Sequence, residues 1–197
     1  MKRIDPYAFY NRFQDNFFGY CSICNNYGKL TLDHIIPASC GNSKITLYDF
    51  FQRNMTKDLP KGFVLRTICD TCNNELLAPF DEKLAKICKD FNSYLDSKLH
   101  LEGNFKFDGN IEDIKKCIIG HILAGSELPF ETSISNTKKK GSLRKIYYNY
   151  LSGKTKELPP NYRIHYWIHK YDSIMFNPGF GIVADYRYKM LLLLVHC

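Results

Sequence analysis

The chain has 197 residues, 45% of them hydrophobic, enough to bury a core as one medium domain or as a small domain with an accessory half, which argues against a disordered chain. Lys and Arg number 27 against 20 Asp and Glu, a net charge of +7, so the average surface favours a polyanion such as nucleic acid. The opening stretch MKRIDPYAFYNRF carries charges where a secretory signal would be apolar, and no apolar run reaches membrane-spanning length, so a cytoplasmic chain with reduced cysteines is expected.

In chain order, the spacing predicts a short helix from Pro6 to about Phe13, followed by the knuckle CSIC (Cys21 to Cys24). The segment NNYGK then leads into a strand at about Lys29 to His34. A long loop with a short helix near Leu47 to Arg53 separates it from a second strand, Phe63 to Ile68, which runs into the knuckle CDTC (Cys69 to Cys72). Beyond Cys72 the pattern reads as a helical turn, a break at Pro79, and an amphipathic helix to about Leu99, whose stripe includes Phe80, Leu84 and Ile87.

The second half opens on an amphipathic helix, Ile111 to Gly125, with Cys117 expected in the core. A basic turn at Lys138, Lys139 and Lys140, a short helix and a linker follow, and from Tyr162 onward RIHYWIHKY, GIVADYRY and KMLLLLVHC read as strands. The apolar last strand reads as one that pairs with another subunit or continues in a longer chain. The expected architecture is α+β, with a domain over residues 1–99 and an accessory region of helices and a small antiparallel sheet over 100–197.

Cys21, Cys24, Cys69 and Cys72 form two C-x-x-C pairs, the ligand pattern of a closed tetrahedral zinc site that holds structure. A redox reading would want C-x-x-C opening a helix, whereas CSICNNYGKL runs into a turn and a strand. Between the knuckles lies LTLDHIIPAS, residues 30–39, an acid–histidine pair at the end of an apolar, β-branched run that a proline stops.

DHIIP (33–37) between two knuckles, together with CDTCNN (69–74), resembles the HNH or His-Me finger endonucleases with a zinc-stapled ββα-metal core. The likeness covers about residues 18 to 82 and is greatest to the four-cysteine group of the phage junction-resolving endonuclease VII. It implies metal-dependent cleavage of phosphodiester bonds in DNA, with His34 as general base, Asp33 as a ligand to catalytic Mg²⁺ or Mn²⁺, and structural Zn²⁺ on the four cysteines. The chemistry suits these residues: an imidazole accepts a proton near neutral pH, and a cation neutralises charge on the phosphate. On an extended segment the neighbours Asp33 and His34 point opposite ways, separating ligand from base.

The resemblance makes Asn73 either a ligand to the same ion or a brace for the loop carrying His34. Many members place a His or Asn eight or nine residues further on; here Asp81 and Glu82 stand there, and Asp81 is the preferred extra ligand, against the simpler use of both as helix N-terminal charges. Arg53, Lys57, Lys61 and Arg66, with Lys138, Lys139 and Lys140, are the candidate contacts to nucleic acid. Rival functions are an inert zinc module that binds nucleic acid, and an RNA-cleaving or toxin-type nuclease. Some small HNH nucleases act in phage defence beside an ATPase partner, a role and a partner that the resemblance leaves open for this chain. His100 and His121 read as solvated or satisfied core residues, and His165 and His169 as packing.

Overall fold

The computed structural model describes residues 14–35, 37–40, 42, 45–49, 56–96, 109–125 and 140–158, together with the strand residues 167–168, 174–176, 182–183 and 190–193. The predicted helix at Pro6 to Phe13, His100, His165 and His169 lie outside them. The described chain is mixed α and β, with helices and small sheets, and none of its helices is long and apolar enough to cross a membrane.

β1 (Phe18–Tyr20) pairs antiparallel with β2 (Tyr27–His34), which pairs antiparallel with β5 (Val64–Cys69). The register of β2 against β5 shifts between Thr31 and Leu32, leaving Thr67 as the extra residue. Such a bulge re-aims side chains. Strict alternation would put Leu30 and Leu32 on one face, yet Leu30 is buried and Leu32 exposed, and Asp33 joins Leu30 on the buried side.

Where a short helix was expected near Leu47 to Arg53, the chain forms strand β3 (Ile45–Asp49), paired antiparallel with β4 (Thr56–Leu59). β-branched Ile45 and Thr46 with aromatic Tyr48 suit a pleated ladder better than a helix, and the partner strand decides the outcome. A turn then brings the chain back to β5 through Gly62, whose φ of +78° is left-handed. A Cβ there would lie 1.9 Å from the carbonyl oxygen of Asn42, so only glycine fits.

The expected break at Pro79 is absent. A π-helical segment, Thr71–Leu77, runs directly into α1 (Ala78–Asp96). Proline is tolerated in a first α-helical turn, where its missing N–H has no required partner, and the wider π turn precedes it: the Ala78 N–H bonds back to the Asn73 carbonyl, five residues earlier. On α1, Leu84, Ile87 and Cys88 are buried as the stripe requires, while Phe80 is half-buried.

α2 (Ile111–Gly125) and α3 (Lys140–Leu151) follow. α2 buries Ile114, Cys117, Ile118, Ile119, Gly120, His121, Leu123 and Ala124, almost its whole circumference. Gly120 lets it approach closely, since a Cβ there would lie 2.2 Å from a methyl of Leu77. One core joins Leu30, Leu65 and Ile68 of the sheet and Leu77 to Ile119 and Leu123 of α2 and Tyr150 and Leu151 of α3. Each such large apolar side chain contributes roughly 1.5–3 kcal/mol by leaving water. That core draws residues from both the 1–99 and the 100–197 portions of the chain.

The last strands are β6 (Trp167–Ile168), β7 (Ile174–Phe176), β8 (Ile182–Val183) and β9 (Met190–Leu193). β9 lies between β6 and β8 in a small antiparallel sheet, while β7 joins β3 in parallel, an association across the chain that no local pattern announces.

Candidate active site and metal centre

The ligand sulfurs of Cys21, Cys24, Cys69 and Cys72 all lie within 4.8 Å of one another, a cluster able to hold one metal ion. The first knuckle is closed by the Cys21 N–H on the Asn26 carbonyl and the Asn25 N–H on the Cys21 carbonyl, both 2.9 Å, with Asn25 at a φ of 63°. Asparagine takes that left-handed conformation more readily than most residues. The second knuckle is carried out of β5 into the π segment, and the Cys69 N–H points at Cys21 Sγ at 3.4 Å. Cys24 Sγ and Cys69 Sγ are 3.8 Å apart. A metal–sulfur bond of about 2.3 Å makes the edge of a sulfur tetrahedron about 3.8 Å, so the spacing is compatible with zinc. A hydrogen bond from Cys72 draws Cys21 down to about 4, and the same contact with burial pushes Cys72 up. Thiolates gathered this closely need a cation to coexist.

Asp33 and His34 end β2 and diverge. Asp33 is buried and turned toward α2, where its Oδ2 faces His121 Nδ1 at 3.7 Å. His34 is half-buried, with Nε2 3.1 Å from the Lys61 carbonyl. That carbonyl is presented by the Gly62 turn, which Asn42 locks by donating to the Phe63 carbonyl at 3.1 Å and accepting from the Phe63 N–H at 2.6 Å. A carbonyl can only accept, so Nε2 of His34 is the donor, and in the neutral ring Nδ1 keeps its lone pair. Both residues line a pocket of about 600 Å³ with Pro37, Asn73, Asp81 and Glu82.

Asn73, on the π segment directly after Cys72, donates its amide to Thr31 Oγ1 at 3.1 Å and to the Leu32 carbonyl at 3.2 Å. These bonds tie the second knuckle to the stretch of β2 just before Asp33. Of the two roles implied for it, the brace is the one these bonds serve.

Asp81 is the point where α1 meets α2. Its Oδ1 accepts from His121 Nε2 at 2.8 Å and from the Cys117 thiol at 3.2 Å. Burial favours neutral His121, but the flanking carboxylates of Asp33 and Asp81 outweigh it and hold the imidazole well above its ordinary range. Burial also pushes Cys117 up to about 11. Asp81, Cys117 and His121 form a second group whose ligand atoms lie within 4.8 Å of one another. Sequence reasoning passed over His121 as solvated or core. The available signal was its spacing, Cys117-x-x-x-His121, which sets two ligand types on one helix face.

Among the candidate phosphate contacts, Lys61 is exposed near the pocket. Arg66 is half-buried: it donates to the Gln14 and Leu30 carbonyls and stacks over Phe17 at 4.3 Å. Its guanidinium holds the sheet edge rather than facing the pocket. Arg53, Lys138 and Lys139, and the side chains of Lys57 and Lys140, lie outside the described residues.

No protein-family model, curated protein or solved structure matches the chain.

Proposed function

We propose that the chain is a metal-dependent endonuclease of the HNH, ββα-metal type that hydrolyses phosphodiester bonds in nucleic acid, DNA first. The observation that carries the reading is His34, with Nε2 on the Lys61 carbonyl at 3.1 Å, beside two carboxylates, Asp33 and Asp81, in one pocket. Further support is the arrangement of the antiparallel pair β2 and β5 followed by the π segment and α1, with one cysteine pair just before β2 and the other at the end of β5.

In this reading Nδ1 of His34 takes a proton from water as the water oxygen attacks phosphorus, and the phosphorus–oxygen bond to the leaving group breaks. The carbonyl behind Nε2 stabilises the imidazolium that results. Asp33 and Asp81 would hold a divalent ion, Mg²⁺ or Mn²⁺, through the carboxylate oxygens that do not face His121, Oδ1 and Oδ2 respectively, and the ion would neutralise charge on phosphate and leaving oxygen. Asn73 keeps the end of β2, and so His34, at a fixed distance from the second knuckle, and Zn²⁺ on the four cysteines staples the two. The net charge of +7 favours the polyanionic substrate.

Incubation with plasmid DNA and Mg²⁺ or Mn²⁺ tests this. Supercoiled plasmid should become nicked or linear, and chelator should stop it. Cleavage of RNA alone would move the substrate to RNA, and no cleavage of either would leave an inert binding module.

A further inference from the structure

We infer that Asp81, Cys117 and His121 form a second metal site, separate from the four-cysteine cluster, that takes a transition-metal dication such as Zn²⁺. The ligand atoms Asp81 Oδ1, Cys117 Sγ and His121 Nε2 already converge: the carboxylate oxygen is 2.8 Å from the imidazole nitrogen and 3.2 Å from the sulfur. A tetrahedral ion with bonds of about 2.0 Å to nitrogen and oxygen and about 2.3 Å to sulfur wants those separations near 3.3–3.6 Å. A shift of about half an ångström in side-chain torsions makes the room.

The second observation concerns the far side of the imidazole. His121 Nδ1 and Asp33 Oδ2 are buried, neither has a hydrogen-bond partner, and they face each other at 3.7 Å. A histidine that ligates through Nε2 typically gives its Nδ1 proton to a carboxylate, which fixes ring and tautomer. Asp33 stands where that carboxylate belongs. An ion on Nε2 displaces that nitrogen's proton and the Cys117 thiol proton to solvent and leaves a ring proton on Nδ1, and a small approach to Asp33 Oδ2 then gives both orphaned atoms a partner.

The donor set selects the metal. A thiolate and an imidazole favour Zn²⁺ or Co²⁺ over Mg²⁺, which prefers oxygen throughout. One carboxylate and one thiolate balance the charge of a dication in a place where Cys117 and His121 are shut away from water. Of the three ligands Asp81 lines the pocket that holds His34. Three protein ligands leave a tetrahedral ion a fourth position, as in catalytic zinc. The ion's part in cleavage rests on the nuclease reading; its occupancy does not.

Metal analysis of the full chain, purified with Zn²⁺ present, tests the site. The wild type should carry about two zinc per chain, and Cys117→Ser and His121→Ala about one each, with helix content retained by circular dichroism. Zinc X-ray absorption on the wild type keeps the test open if either variant misfolds. It should show about 2.5 sulfurs per zinc on average together with imidazole scattering, the mean of a four-sulfur and a one-sulfur site. A single zinc with four sulfurs, or two zinc retained in both variants, would overturn the site. An active nuclease with one zinc would remove this inference alone, whereas two zinc with no cleavage would keep the site and remove the nuclease reading.

Discussion

The four-cysteine cluster takes its ligands from two short knuckles, each a pair of cysteines three residues apart, whereas the group at Asp81 takes its ligands from two helices and leans on Asp33 of a strand. In the first, backbone turns inside each knuckle place two sulfurs, and only the pairing of β2 with β5 is needed to bring the knuckles together. In the second, no ligand is placed until α2 has packed on α1 and on Leu77. Locally built sites tolerate changes in distant packing. Sites built by packing do not, and the pocket holding Asp33, His34 and Asp81 draws on that second kind.

The comparison breaks most visibly at the knuckles. Cys69→Ser should remove the zinc of the four-cysteine cluster and much of the fold, because structural zinc sites are worth about 10 kcal/mol or more to small modules. Metal analysis and thermal melting check this, and a native melt with that zinc retained would remove the cluster from the account.

A smaller change sharpens it. Gly120→Ala puts a methyl against Leu77, which is fully buried, so overpacking of about 1–3 kcal/mol should exceed the gain of roughly 1 kcal/mol in helix propensity. Chemical denaturation should show the loss. The same variant should lose activity while keeping the four-cysteine zinc, and equal loss of both would mean that the two regions are one cooperative site.

A stability effect of similar size is expected at Asn73. Asn73→Ala removes two hydrogen bonds to β2 from a half-buried amide, about 1–2 kcal/mol. As a brace, its loss should lower cleavage at every metal concentration, and recovery with extra Mg²⁺ or Mn²⁺ would make it a ligand instead.

Strands β2 and β5, the knuckles and the acid–histidine pair were legible because each is written within a few residues: β-branched runs, C-x-x-C and the proline that ends LTLDHIIP. Pro79 misled because its effect depends on the preceding turn, and nothing local announces a π segment at Thr71–Leu77. Leu47–Asp49, the end of β3, was read as the start of a helix because the strand's partners, β4 and β7, supply the evidence and lie elsewhere in the chain. His121 was passed over for the same reason. Its meaning comes from Asp33 and Asp81, which only folding brings to its two nitrogens.

If His34 takes the proton from the attacking water, plasmid cleavage by His34→Ala must fall. That variant should keep the four-cysteine zinc, the fold and the affinity for DNA while cleavage falls by roughly a hundredfold or more, the range typical of removing a general base. Extra metal should not restore it, and added imidazole should restore part. Cleavage at the wild-type rate would contradict the account.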